Sequence, residues 1–271
     1  MKHSRREHVH HIAMLYPSAW HEVLYSYVVA PLALVLAMAL LFALYPTLTP
    51  SGPAVPLSTI LLAALYTCAR LVVAYFFAVI IAVPLALLVT TNELAEKLFL
   101  PVFDILESVP VLALFPVIIM LFVRFGDLNG AAVFILFLAM LWNIVFTVVG
   151  GLKIIPQDIL YAARVFGIKG LDMLRRVTLP AVVPQLVTGS ILALAQGWNL
   201  IIVAEVLHTY IPGGTAAQDV FGIGSLLVEA AANAQQGVFI ACVFVMVIII
   251  ALLNLFVWQK LLHYSQRFRF E

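Results

Sequence analysis

The residues able to do chemistry in this sequence are the few charged and amide side chains set inside long apolar runs. Arg70 and Glu205 interrupt two such runs, and a charge at membrane depth is costly unless it pairs or works. If the run around Arg70 begins near Leu61, Arg70 lies about 9 residues, or roughly 13 Å, along a helix, too deep for an easy reach to the surface. Four roles fit it: a cation lining an anion pathway, a clamp on a neighbouring span, a group that bonds backbone carbonyls, or, if the span starts elsewhere, a side chain that snorkels to the surface. Glu205, at the outer end of a later run, fits an interfacial structural role, a gate or a contact with another protein. Seven residues separate Trp198 from Glu205, which puts both on one helix face, whereas Gln196 and Asn199 point nearly the opposite way. An acid would repel anions, so Gln196 and Asn199 are the candidates for a polar pathway. Trp198 and Glu205 are the candidates for a gate or outer structure. Trp142 and Asn143 suit packing between helices.

Other reactive residue types carry less. His3, His8, His10 and His11 crowd the N-terminal tail and read as solvated side chains rather than a metal site. Cys68 and Cys242 lie in apolar runs and read as small hydrophobes, not a disulfide. Neither Asp nor Glu is expected in mid-span.

The elements that must position these groups follow from composition. Of 271 residues, 65% are hydrophobic and 10% charged, against roughly 45–50% and 25% in soluble domains. That excludes a water-soluble globule, a disordered chain and a nucleic-acid binder. Runs of about 20 apolar residues mark spans, and six are expected. Their approximate limits are 24–45, 61–89, 105–123, 131–152, 186–207 and 238–261. The charged N-terminal stretch runs into the first span without a small-residue cleavage site, so it is not read as a signal peptide.

Basic residues sort by side. Of the 14 Lys and Arg, twelve fall in the two tails and in alternate loops, Arg124 stands alone on the other side, and Arg70 is within a span. Short-loop Lys and Arg mark the cytoplasm, so both termini and the 153–176 loop are expected there. The expected fold is all-α: a polytopic bundle of about six transmembrane helices. Residues 1–56 hold a tail, the first span and an outer loop; 57–262 form the core, with a cytoplasmic loop at 153–183; 263–271 form the second tail.

That loop reads as two short helices outside the lipid. Pro156 and Asp158 suit a first turn, Arg164 a last turn, and Gly167 a left-handed cap. A second helix begins at 170–172, carries Arg175 and Arg176, and is expected to stop at Pro180. Ala162 and Ala163 leave the first helix thin enough for another protein's backbone to approach.

Ala162, Ala163, Gly167, Val177, Leu179 and Pro180 fall at the spacing of Glu-Ala-Ala, three residues, Gly, nine residues, Ile, one residue, Leu-Pro. The loop therefore resembles the EAA loop of permease subunits of ATP-binding-cassette importers. Tyr161 stands where that family usually has Glu. The resemblance extends over roughly 57–262, taking in Thr67 and Arg70, then Pro101, Pro110, Pro116 and Gly126. In GWNLIIVAEVL and FGIGSLL it is nearest the subgroup importing nitrate, sulfonates, taurine or bicarbonate.

What the resemblance implies is a type I importer permease in a bacterial or archaeal plasma (inner) membrane, with the loop as the coupling helix. Ala162, Ala163, Arg164, Gly167, Leu179 and Pro180 would couple to the ATPase, and Arg70, Gln196 and Asn199 would belong to the pathway. The implied partners are two cytoplasmic ATPase subunits, an extracytoplasmic substrate-binding protein, and a second permease copy or homologue, but no nucleic acid. A short helix before the last span is also common in the family. The chain contains no Gly-x-x-x-x-Gly-Lys-Ser/Thr phosphate loop, so it is expected to be no enzyme and to hold no cofactor; ATP and Mg would sit on the ATPase. The rival expectation is a self-sufficient channel or secondary transporter, marked by acids at mid-membrane and inverted repeats.

Overall fold

The computed structural model describes residues 55–90 and 92–268, with isolated positions between 32 and 40. The first expected span and the N-terminal histidines thus lie outside the described residues, apart from those positions. Helices α1 (Leu57–Thr90), α2 (Glu93–Ser108), α3 (Val111–Phe125), α4 (Leu128–Lys153), α5 (Gln157–Val165), α6 (Gly170–Glu205), α7 (Ile223–Ala232) and α8 (Gln236–Phe268) follow in order. No strand occurs among the described residues. Four of these helices are long and apolar enough to cross a membrane: α1, α4, α6 and α8.

The third expected span is a broken one. Helices α2 and α3 meet at 84° across Val109, which is extended (φ −72°, ψ 119°) because the ring of Pro110 disfavours the helical conformation of its predecessor. Contacts with α4 give its depth. Lys153 pairs with Glu96 at 2.6 Å at the cytoplasmic end, the Phe103 and Trp142 rings lie 5.5 Å apart, and the Phe122 and Phe134 rings 5.7 Å apart further out. The break therefore falls half-way through the bundle.

Helix α4 forms the centre, packed along α1 on one side and α6 on the other. Lipid is as apolar as a leucine, so close approach and van der Waals packing must hold such helices together, and small residues permit it. In α1 the buried stripe is Ala74, Ala78, Ala82 and Ala86, one residue per turn. Between α4 and α6 the small residues are glycines: a Cβ on Gly189 would run into Thr147, and one on Gly197 into Met140 and Leu71.

Pro180 does not end a helix. The turn Leu174–Thr178 widens to π geometry, with the Leu179 N–H donating to the Leu174 carbonyl, and this wider turn leaves room for the proline ring and its missing donor. Helix α6 consequently runs unbroken for 36 residues from the cytoplasmic loop to Glu205. Cys68 and Cys242 are both free.

Candidate functional site

Three groupings of polar residues stand out, at the outer end, at half depth and at the cytoplasmic end. The outer one is a buried node. Arg70 is 6% exposed and Glu205 0%, and Arg70 Nη1 meets Glu205 Oε1 at 2.7 Å. The rest of the guanidinium is also used: Nε and Nη2 donate to Asn129 Oδ1 at 3.1 and 3.0 Å, and Nη2 donates to the Phe221 carbonyl at 2.7 Å. Glu205 in turn accepts from Thr67 Oγ1 at 2.7 Å and, through Oε2, from the Gly224 N–H at 2.7 Å. Thr67 Oγ1 accepts from the Ile223 N–H at 2.9 Å.

Each element contributes for a local reason. Thr67 and Arg70 are three apart on α1 and share a face. Asn129 opens α4 just after Asp127, whose carboxylate caps that helix by accepting from the Gly130 N–H. The first N–H groups of α7 have no intrahelical partner, and a carboxylate is favoured at such an end. Gly222 is needed because a Cβ there would overlap the Glu205 carboxyl group. His208 and Asp219, 2.8 Å apart, close the loop between α6 and α7. A cavity of about 520 Å³ beside the node is bordered by Arg70, Asn129, Asp127 and Asp219.

At half depth, the α2–α3 break opens a groove of about 400 Å³ lined by Glu107, Pro110, Trp142, Asn143, Gln196 and Leu200, among others. The structure thus places Gln196 with Asn143 and Trp142, not with Arg70. Asn199 is exposed on α6 outside that lining, and Trp198 is half-buried against the core. Glu107 corrects the expectation of a mid-span free of acids. The sequence window that began at residue 105 treats it as the edge of a span, but the contacts with α4 set it midway.

The cytoplasmic grouping is α5 and the turn after it. Gly167 has φ +77° and ends α5 as expected. Ala162 and Ala163 differ in burial: Ala162 is exposed, whereas Ala163 is 7% exposed and packs on its own protein. Val165 and Phe166 are 84% and 82% exposed, with Tyr161 and Leu171 exposed nearby. Arg164 lies over the Tyr161 ring at 5.8 Å, so the residue standing in place of Glu engages it through its ring. Leu179 and Pro180 lie at the start of the membrane part of α6, partly exposed.

Residues 74–269 match the family described as "Binding-protein-dependent transport system inner membrane component". The chain belongs to this family. It is a multi-pass membrane protein of the ABC importer permease kind. Relatives include the nitrate import permease protein NrtB of Leptolyngbya laminosa, 33% identical over 156 residues covering 58% of this chain and 55% of that one. The bicarbonate transport system permease protein CmpB of Synechococcus elongatus is 31% identical over 144 residues, 53% and 51% of the two chains. The chain spans about half the length of these two relatives. Among solved structures, an inward-facing MetNI methionine ABC transporter chain superposes with a TM-score of 0.65 at 20% identity, covering 79% of this chain and 99% of that one. That likeness shows a shared fold.

Asn129 and Glu107 are the site residues that the sequence did not single out, whereas Thr67, Gly222 and Gly224 stood in the stretches that carry the resemblance without a role of their own. A signal existed for Glu107, which stands two residues before the Val109–Pro110 step.

Proposed function

We propose that this permease is the translocating subunit of an ATP-driven importer, paired with a second permease copy or homologue. Cytoplasmic ATPase subunits carrying ATP and Mg would dock on α5, and an extracytoplasmic binding protein would deliver the solute. The membrane would be the plasma (inner) membrane of a bacterium or archaeon. Transport would proceed by alternating access: ATP closes the ATPase pair, α5 moves, and the bundle opens outward. The observation that carries this reading is the α5 surface. Large apolar side chains stand exposed on a helix whose loop holds five basic residues, in the register of the family's coupling loop. An exposed apolar patch of that kind marks a protein partner.

The pathway would run along the half-depth groove, with Gln196 inside it and Asn199 near it. The node tying Arg70 to Glu205 would hold the outer end. On likeness to NrtB and CmpB alone, the cargo would be a small anion such as nitrate or bicarbonate; the charge of the groove bears on that separately.

Co-purification tests the reading. The detergent-solubilised permease is expected to retain its ATPase, and Val165→Glu with Phe166→Glu to release it and abolish uptake. An ATPase that does not associate with the unaltered chain, or uptake unchanged in the double variant, would overturn the reading.

A further inference from the structure

The half-depth groove carries charge of one sign only. Glu107 lines it with Asn143, Gln196 and Trp142, and among the described residues neither the Glu107 nor the Gln196 side chain makes a hydrogen bond or salt bridge. The Asn143 amide donates to the Ala139 carbonyl of its own helix at 3.3 Å, which leaves its oxygen available. Asp104, one turn before Glu107, is exposed and lies outside the lining. No described Lys or Arg lines the groove: Arg70 is consumed in the outer node and Arg124 ends α3. A second permease copy would bring the same lining and therefore the same sign.

A carboxylate between low-dielectric walls focuses its field along the groove. A free small anion is repelled there, and a cation is drawn in. We propose that the solute passing this groove carries a cationic group, such as an ammonium or quaternary ammonium, and that Glu107 selects for it. Trp142 supplies an aromatic surface, and the amides of Asn143 and Gln196 bond the neutral remainder. This rests on the groove being the pathway of the proposed importer, and it argues against the free-anion cargo that likeness alone suggests.

The sign of the field can be read without knowing the cargo. A Gln196→Cys permease in its complex with the ATPase is treated with a cationic and an anionic methanethiosulfonate of similar size, with labelling of the parent protein subtracted. Normalised to a small free thiol, the cationic-to-anionic rate ratio is expected to be about ten-fold or more, and to fall towards one when Glu107→Gln is added. A ratio within about two-fold of the free thiol with Glu107 in place overturns the proposal. So does ATP-dependent uptake of nitrate or bicarbonate by proteoliposomes holding the unaltered complex and its binding protein. If the ATPase fails to associate, the importer reading falls instead, and the thiol ratio on the permease alone still judges the groove.

Discussion

Replacing Glu205 by Gln keeps the side chain's volume and removes its charge, which makes it a sharp test of the outer node. Both carboxylate oxygens face donors, Thr67 and Arg70 on Oε1 and the Gly224 N–H on Oε2. A glutamine must therefore turn its NH2 against a donor whichever way it flips, and it leaves the guanidinium bonded to Asn129 and the Phe221 carbonyl but without a counter-charge. At the observed 2.7 Å and an effective dielectric of about 20, the lost attraction is about 6 kcal/mol. Breaking one side of a buried pair costs about 3–5 kcal/mol in practice. Arg70→Met strands the carboxylate in the same way. Either change is expected to lower the thermal midpoint in detergent by roughly 6–20 °C, taking about 2–4 °C per kcal/mol for a chain of this size. The double variant Arg70→Met with Glu205→Met removes both charges, so its loss should not exceed the larger of the losses of Arg70→Met and Glu205→Met alone, a coupling of at least about 3 kcal/mol. Amide hydrogen exchange over 223–232 should accelerate in both single variants, because the first N–H groups of α7 lose or weaken their acceptor. A midpoint shift below about 2 °C in either single variant, or losses that simply add in the double, would refute the idea that this pair holds α7 in place.

Three further outcomes are expected. Gly222→Ala pushes a methyl into the Glu205 carboxyl group and should lower the same midpoint by an amount equivalent to about 1–3 kcal/mol. Ala162→Glu should weaken ATPase capture with the midpoint unchanged within about 2 °C, whereas Ala163→Glu, which buries a charge against the protein itself, should lower the midpoint. Gly167→Ala has open space around it but a φ of +77°, so thermal unfolding should show a modest loss of about 1 kcal/mol.

Much of the architecture was legible in the sequence, and the reasons it was or was not are physical. Helices α1, α4, α6 and α8 declare themselves because about 20 apolar residues in a row have few other fates. The α5 turn declares itself through Asp158, Arg164 and Gly167. The α2–α3 break did not, because the apolar run of α3 and the amphipathic end of α2 merge in a window of span length and hide the Val109–Pro110 step. Pro180 read as a stop because a local rule cannot foresee a π turn that accommodates it. The Arg70–Glu205 pair joins residues 135 positions apart, a separation on which helical periodicity is silent; only the cost of two charges in lipid hinted that they needed partners.

The unbroken course of α6 has a mechanical consequence. Its widened turn at Leu174–Thr178 lies near the cytoplasmic end, and the 27 residues of Leu179–Glu205 beyond it form an arm of about 40 Å. A tilt of about 10° at that joint would swing the far tip by about 7 Å, more than twice the reach of the contacts that Glu205 makes with its neighbours. The arm can therefore pivot only if α1, α4 and α7 travel with it or if the outer clasp lets go.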